Sequence, residues 1–197
     1  MLIDMHIHTH FSSCSIIEIP QLLQRARKVG LDGICITDHN TIASQNAFEK
    51  IDDYSGLFVI VGVEYTTSNG DFLVFGPVDY IPEKMDTKNL FKWVQKEGGV
   101  AIAAHPFRKE RPVDPYVLPL SNIIESVNGR NNSAENEMCK NWIKKCGNEV
   151  KEIGGSDAHT LEEVGRVVTV FKKNIYTMDD LIRELLIGYY SPLKRYQ

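Results

Sequence analysis

The sequence lacks the features that would direct the chain into a membrane or an oxidising compartment. No apolar run reaches the roughly 18 residues that a membrane-spanning helix needs. The opening segment MLIDMHIHTH has neither the basic flank nor the long apolar centre of a signal peptide. The four cysteines include no C-x-x-C pair. We therefore expect reduced thiols and a cytoplasmic location.

An excess of positive charge is also missing. Lysine and arginine total 22 against 26 aspartates and glutamates, a formal charge of −4. This balance argues against a surface that coats nucleic acid, which needs a basic stripe, but it leaves room for a site that binds a few phosphates. The 197 residues, 43% of them hydrophobic, are typical of one globular domain, and we expect a single domain over residues 1–197.

Short apolar runs alternate along the chain with amphipathic stretches. MLIDMHIH is typical of a strand, and IEIPQLLQRARKVG of a helix that Gly30 ends. Repeated strand–helix order predicts a parallel sheet in an α/β fold, and about seven such units favour a small or distorted (β/α) barrel. A doubly wound open sheet is the alternative. DFLVFGP is expected to pair back across Asn69-Gly70, and HPFRKERPVDPYVLPL to form a long loop.

Polar residues that bind metals fall at the ends of the predicted strands. No predicted helix contains any of the six histidines, which are His6, His8, His10, His39, His105 and His159. Asp38, Glu64 and Asp157 accompany them. Because the carboxyl ends of parallel strands form one rim, we expect most of these side chains to converge. His10 lies beyond its strand, and a surface position is expected for it.

Imidazole and carboxylate together favour zinc, manganese or iron. The set offers more ligands than one four-coordinate ion uses, which predicts two or three divalent ions. Two ions about 3.5–4 Å apart are typical of enzymes that hydrolyse phosphate esters, in which a bound ion activates a water near neutral pH.

The ordered motifs resemble the polymerase and histidinol phosphatase (PHP) family. They read DMHIHTHFSSCS, LDGICITDHNTI, VGVEYTT, AAHPF, IIESVNG and GGSDAHTLEEVGRVVTVF. The resemblance implies a distorted (β/α)7 TIM-like barrel with a three-metal cluster that hydrolyses phosphate esters. Some members resemble this chain in being short, free-standing phosphoesterases.

The resemblance also implies a ligand set. His6, His8, Glu64 and Asp157 would hold one ion, Glu64 and His105 a second, and His39 and His159 a third. Family members usually add a histidine to the second ion from a Gly-His pair, which here reads Gly70-Asp71, so Asp71 completes the predicted metal ligands. The loop after H-x-H usually adds an aspartate or histidine to the third ion. Cys14 falls near that place and is left out of the predicted set, since an idle cysteine is the more common case.

Other residues near the rim are candidates for binding substrate and moving protons. Arginine is the usual planar clamp for phosphate, and Arg108 and Arg130 are the best placed, ahead of Arg166. Asp157 or His159 would move the proton during hydrolysis. Asp4 is expected to support a histidine N–H, and Asp38 either does the same or ends its strand.

We expect a hydrolase that acts on a small or nucleotide phosphate. Two alternatives remain open: a nuclease acting on short nucleic-acid ends, and a metal-binding regulatory module without turnover. A C–N hydrolase of the amidohydrolase type would need a bridging lysine, and Glu64 takes that place. No membrane partner is expected, and the sequence leaves the oligomeric state open.

Overall fold

The computed structural model describes residues 1–51, 54, 56–76, 80–146 and 150–195. Within these ranges it contains ten strands and five α-helices. The strands are β1 Leu2–Ile7, β2 Gly33–Ile36, β3 Phe58–Val61, β4 Val63–Thr67, β5 Gly70–Phe75, β6 Val100–Ala103, β7 Ile123–Asn128, β8 Lys151–Gly155, β9 Val167–Phe171 and β10 Tyr190–Lys194. The helices are α1 Ile19–Lys28, α2 Ser44–Phe48, α3 Thr87–Lys96, α4 Ser133–Cys146 and α5 Met178–Ile187.

The helix predicted before Gly30 is confirmed as α1. Pro20 lies in its first turn, where a missing N–H costs nothing, and Gly30 follows its end with a φ of 70°. Leu22 and Ala26 form its buried face against β1 and β2. None of the helices in the described ranges is long and apolar enough to cross a bilayer.

The prediction of a distorted (β/α)7 TIM-like barrel is wrong. The described strands form two mixed five-stranded sheets, with strand orders β10-β9-β1-β2-β3 and β4-β5-β6-β7-β8, and no closed barrel. A (β/α) barrel needs a helical crossover after every strand, whereas β4, β5 and β6 are antiparallel neighbours, as are β1, β9 and β10. The doubly wound open sheet also differs from this arrangement, because it would be one continuous sheet.

Gly62 and the Asn69-Gly70 turn explain the departure from a parallel barrel. Gly62 separates β3 from β4, which fall in different sheets although they are consecutive in the chain. The hairpin predicted at Asn69-Gly70 is confirmed, with Thr67 paired to Gly70 across the β4–β5 turn. Parallel pairing survives at β1-β2-β3 and at β6-β7-β8, so both sheets have strands that end on the same side.

The loop predicted over residues 105–120 is confirmed, apart from a short 3-10 helix at Leu118–Leu120. A buried apolar cluster joins both sheets, with Met5 of the first sheet and Leu73 and Ile102 of the second among its members. Single bridges from Ile7 to Ala158 and from His39 to Glu64 also connect the sheets. The strand ends of the two sheets therefore meet at one seam.

Candidate metal centre

Four side-chain atoms from both sheets converge at this seam. The Nε2 atoms of His6 and His8 are 3.1 Å apart, and Glu64 Oε2 lies 3.2 Å and 3.1 Å from them. Asp157 Oδ1 lies 3.6 Å from the first nitrogen and 3.3 Å from the second. Ligands about 2.0–2.2 Å from a tetrahedral ion are separated from one another by roughly 3.3–3.6 Å. The five separations that involve His6 or His8 are close to this range, as expected for ligands of one divalent cation.

The hydrogen bonds of the two imidazoles also fit a cation. His6 Nδ1 lies 3.0 Å from a carboxylate oxygen of Glu125, which accepts, so this nitrogen carries the proton. His8 Nδ1 faces Ser12 Oγ, whose own proton is donated to Asp38 at 2.8 Å, so His8 is again the donor. The two Nε2 lone pairs then face each other and two carboxylates. A proton or a positive ion among these acceptors removes that repulsion.

Protons and metal ions compete for this cluster. Burial lowers the pKa of His6, but Asp157 and Glu125 outweigh burial and raise it well above its usual value. Burial alone would raise the pKa of Glu64 and Asp157, yet His6 holds the pKa of each well below its usual range. The carboxylates are therefore ionised at neutral pH. A divalent ion would displace the imidazole protons, so metal affinity should fall as pH falls.

Two further groups of ligand atoms adjoin the first. His6, Glu64 and His105 form one of them, and His105 Nε2 lies 2.8 Å from Glu64 Oε1. The buried Nδ1 of His105 has no hydrogen-bond partner in the described part of the chain. The other group brings His8, His39 and His159 together with Cys14, and its ligand atoms lie within 4.8 Å of one another.

Asp71 and His10 do not join these groups. Both carboxylate oxygens of Asp71 are engaged, one by Arg111 Nε and the other by the Thr66 hydroxyl at 2.8 Å. His10 is 39% exposed and lies 3.4 Å from Glu18. The structure thus brings together His6, His8, His39, Glu64, His105, Asp157 and His159, and leaves these two residues outside.

Arg108 is held tightly beside the cluster. It donates to Asp157 Oδ2 at 2.6 Å, to Asn128 at 2.8 Å and to Asn131 at 2.9 Å. These three contacts fix the orientation of the Asp157 carboxylate, leaving its Oδ1 towards the imidazoles.

Arg130 and Arg166 lie in different surroundings from Arg108. Arg130 Nη1 lies 2.9 Å from His159 Nδ1, at the exposed side of the cluster. Arg166 is exposed, and its carbonyl accepts a hydrogen bond from the backbone of Arg195. Arg130 is therefore the arginine that reaches the open side of the site.

Sequence reasoning missed Glu125, a buried glutamate on β7. It accepts from His6 Nδ1, from the His105 backbone N–H at 2.8 Å and from Asn128 at 3.0 Å, and so orients two candidate ligands. The available signal was its place within the apolar run NIIESVNG, because a glutamate is almost never buried without a partner.

Asp4 and Asp38 fix backbone near the site. Asp4 accepts from the backbone N–H groups of Ser156 at 2.9 Å and Gly165 at 2.8 Å, and weakly from that of His6. It supports no imidazole N–H, which departs from the prediction. Asp38 accepts from Thr9 and Ser12 and so orders the loop after β1.

Strained backbone surrounds the same seam. Asn40, His105 and Asp157 have φ values of 53°, 30° and 55°, in the left-handed region that costs most residues free energy. At Gly155 an added Cβ would collide with the Cβ of His6. The glycine therefore allows β8 to pass directly against β1.

Comparisons with known proteins give one family match and two related sequences. The model of the PHP-associated family matches residues 134–188. The uncharacterized protein MJ1587 of Methanocaldococcus jannaschii is 31% identical over 117 residues, which are 54% of this chain and 68% of that protein. A second protein of the same organism, MJ0417, is 28% identical over 194 residues, covering 92% of this chain and 75% of its own.

Solved structures share the fold at low sequence identity. PsfC from Pseudomonas syringae has a TM-score of 0.79 and 21% identity, over 98% of this chain and 91% of its own. A candidate metal-dependent phosphoesterase from Bifidobacterium adolescentis has a TM-score of 0.67 and 19% identity, over 93% and 95%. An amidohydrolase from Chromobacterium violaceum has a TM-score of 0.64 and 14% identity, over 83% and 89%.

The family match covers a segment that carries only two of the candidate ligands, Asp157 and His159. The PHP-associated match lies in the carboxyl-terminal part of the chain, whereas the ligand motifs begin at His6. The ordered ligand motifs resemble the same family as the matched segment. The chain belongs to the PHP family.

Proposed function

We propose that the protein hydrolyses phosphate esters, with a small or nucleotide phosphate as substrate, at a centre of two or three divalent ions. The observation that carries the proposal is the convergence of His6, His8, Glu64 and Asp157 beside an arginine at the exposed edge. Zinc, manganese or iron would supply positive charge there and lower the pKa of a bound water.

The ligand geometry supports at least two ion positions. The four-atom group is one, and the group with His39 and His159 is another. Glu64 contributes one oxygen to the first group and turns the other towards His105, which suits a bridging carboxylate for a further ion. Because Asp71 is paired with Arg111, that further position has fewer protein ligands than the other two.

Arg130 is the proposed phosphate-binding residue. One of its nitrogens contacts His159, and within the described ranges its other guanidinium N–H groups make no hydrogen bond. Guanidinium donors match phosphate oxygens in a planar, bidentate geometry. Arg108 already donates three hydrogen bonds inside the protein through Nε and Nη2. We therefore assign it to positioning Asp157, and we assign its Nη1 to binding the phosphate.

His159 and Asp157 are the proposed groups that handle protons. Burial, followed by the nearby His8, lowers the pKa of His159 to about 4. The ring is therefore neutral at pH 7 and is available to bind an ion or accept a proton. Asp157 stays ionised under the influence of His6, and its contact with Arg108 keeps it aligned.

The residues of the centre bear on two other activities, C–N hydrolysis and the cleavage of nucleic-acid ends. Glu64, rather than a lysine, occupies the bridging position, which disfavours the C–N hydrolysis of the amidohydrolase type. A nuclease acting on short ends would use the same centre and differ only in how the rest of the substrate is bound. A substrate panel separates these activities.

The test is hydrolysis of an aryl phosphate, mononucleotides, sugar phosphates, a short oligonucleotide, a phosphopeptide and an N-acyl amino acid. We expect phosphate release that stops after chelation and dialysis and returns with Zn²⁺, Mn²⁺ or Fe²⁺. Persistent hydrolysis after complete metal removal contradicts the proposal, and so does exclusive amide cleavage. Bound metal with no turnover on the panel would favour the regulatory module.

A further inference from the structure

The loop between β1 and α1 places a thiol against three histidines of the metal centre. Cys14 offers its Sγ within 4.8 Å of ligand atoms of His8, His39 and His159. The other candidate ligands of the centre are nitrogen and oxygen atoms, so the sulfur would be chemically distinct among them. Thiolate sulfur favours ions such as zinc over manganese and magnesium.

Two serines that flank Cys14 fix its loop to the same histidines. Ser12 Oγ accepts from the His39 backbone N–H at 2.9 Å and contacts His8 Nδ1 at 3.3 Å. Ser15 Oγ lies 2.9 Å from the His8 carbonyl oxygen and 3.3 Å from that of His159. The loop that carries Cys14 is therefore held by hydrogen bonds to each of the three histidines.

The contacts of His39 and His159 engage one nitrogen of each ring. His39 Nδ1 faces Glu64 at 3.2 Å, and His159 Nδ1 lies 2.9 Å from the carbonyl oxygen of Asp157. In the described part of the chain, the Nε2 atom of each ring has no hydrogen-bond partner. Two imidazole nitrogens and one sulfur are thus available together, and water would complete a four-coordinate ion.

We propose that Cys14 is a ligand of the ion bound by His39 and His159, and that its sulfur makes this position selective for a thiophilic ion such as Zn²⁺. The thiol loses its proton to solvent as the sulfur–metal bond forms, and no electron is transferred. The inference rests on the metal centre of the proposed function and is independent of which ester bond that centre cleaves.

The remaining cysteines provide matched controls. Cys35 and Cys139 are buried, whereas Cys146 is exposed like Cys14 but lies at the end of α4, outside the three ligand groups. Cys146→Ala therefore removes an accessible thiol without touching the site. Cys14→Ala and Cys14→Ser remove the proposed ligand, and the serine variant keeps the size and polarity of the side chain.

The direct test is substitution with Co²⁺ and absorption spectroscopy. Wild-type protein and Cys146→Ala should show a near-ultraviolet sulfur-to-cobalt charge-transfer band, which Cys14→Ala and Cys14→Ser should lack. Zinc affinity at this position should fall at least about 10-fold in both Cys14 variants, because substitution of residues that only hydrogen-bond a ligand already lowers metal affinity by about that factor. A band that is absent from wild type, or unchanged in the Cys14 variants, overturns the proposal.

A second measurement does not depend on the folding of the Cys14 variants. In Cys146→Ala protein, Zn²⁺ should slow alkylation of the accessible Cys14 thiol at least about 10-fold, and Mg²⁺ should not. An unchanged rate with Zn²⁺ overturns the proposal. Failure of phosphate hydrolysis with the cobalt band present would contradict the proposed function alone, whereas metal-dependent hydrolysis without the band would contradict only the role of Cys14.

Discussion

Asp157 and Asp71 are two buried aspartates at the same seam, and each pairs with an arginine from one short segment. Arg108 contacts Asp157 and Arg111 contacts Asp71. Each aspartate is 1% exposed. The difference lies in the second carboxylate oxygen: that of Asp157 faces His6 and His8, whereas that of Asp71 accepts from the Thr66 hydroxyl.

This difference shows that an aspartate near a metal centre becomes a ligand only when one oxygen remains available. The contact with Arg108 orients Asp157 and leaves Oδ1 for the cluster. The contacts of Asp71 satisfy both of its oxygens. Substitutions at the two pairs should therefore have very unequal effects on metal binding.

The largest effect is expected for Asp157→Ala. It removes one of the four converging ligand atoms. We expect metal affinity and phosphate hydrolysis to fall by more than about 100-fold, because substitution of residues that only hydrogen-bond a ligand already lowers metal affinity by about 10–100-fold. Metal content by mass spectrometry and the rate on an aryl phosphate check this. Asp71→Ala is the matched control, and equal losses in the two variants would remove the distinction between the two aspartates.

Arg108→Ala should have the next largest effect. Asp157, Asn128 and Asn131 would lose their shared partner, so we expect metal affinity to fall by roughly 10–100-fold. Arg108→Lys should not restore it, because an ammonium group lacks the planar fork of donors that contacts all three residues. Titration with a zinc indicator measures the affinity, and wild-type affinity in both variants would contradict a positioning role.

A third buried aspartate, Asp4, extends the comparison because it pairs with no arginine. Burial raises its pKa to about 6, although backbone N–H groups oppose this. The folded state then binds an extra proton between pH 4 and 6, so the contribution of Asp4 to stability is present at low pH and is lost as pH rises through 6. A shift of two pKa units corresponds to about 3 kcal/mol.

Chemical denaturation of wild type and Asp4→Asn at several pH values measures this effect. We expect the free energy of unfolding of wild type, relative to the variant, to fall by about 2 kcal/mol between pH 4 and pH 7, since part of the full change lies below pH 4. A relative stability that is flat or rises with pH over this range would contradict the raised pKa of Asp4.

The smallest effect is expected for Arg111→Ala. The Arg111 side chain is 47% exposed, so losing its pair with Asp71 should cost about 1 kcal/mol or less of stability. Metal affinity should stay within about threefold of wild type if Asp71 binds no ion, since a lost ligand costs far more. A clear gain in bound metal would show instead that Arg111 keeps Asp71 from acting as a ligand.

The sequence was sufficient to predict the metal ligands whose positions follow from the order of the strands. His6 lies near the end of β1, and His8 and Asp157 follow β1 and β8, as predicted. Glu64 instead lies near the start of β4, and the bridge between His39 and Glu64 brings it to the same seam. The sequence was insufficient for Asp71, because the partner Arg111 lies forty positions away on a loop whose path no periodicity encodes. Glu125 was missed because a single acid in an apolar strand gives no direction for its contacts.

The fold was predicted locally but not globally. The first strand, the helix that ends before Gly30 and the hairpin at Asn69-Gly70 follow from residue types with a known backbone preference. The barrel was wrong because strands pair antiparallel in both sheets, and because the apolar run around Gly62 contributes strands to two different sheets. Strand pairing across the chain depends on tertiary packing that local pattern does not specify.

Anomalous diffraction at the zinc edge, from crystals grown with Zn²⁺, tests the central claim most directly. We predict a peak about 2.0–2.2 Å from His6 Nε2, His8 Nε2, a Glu64 oxygen and an Asp157 oxygen, with a second peak beside His39 and His159. A map without any peak at the seam, with the imidazole rings of His6 and His8 turned apart, would contradict the account.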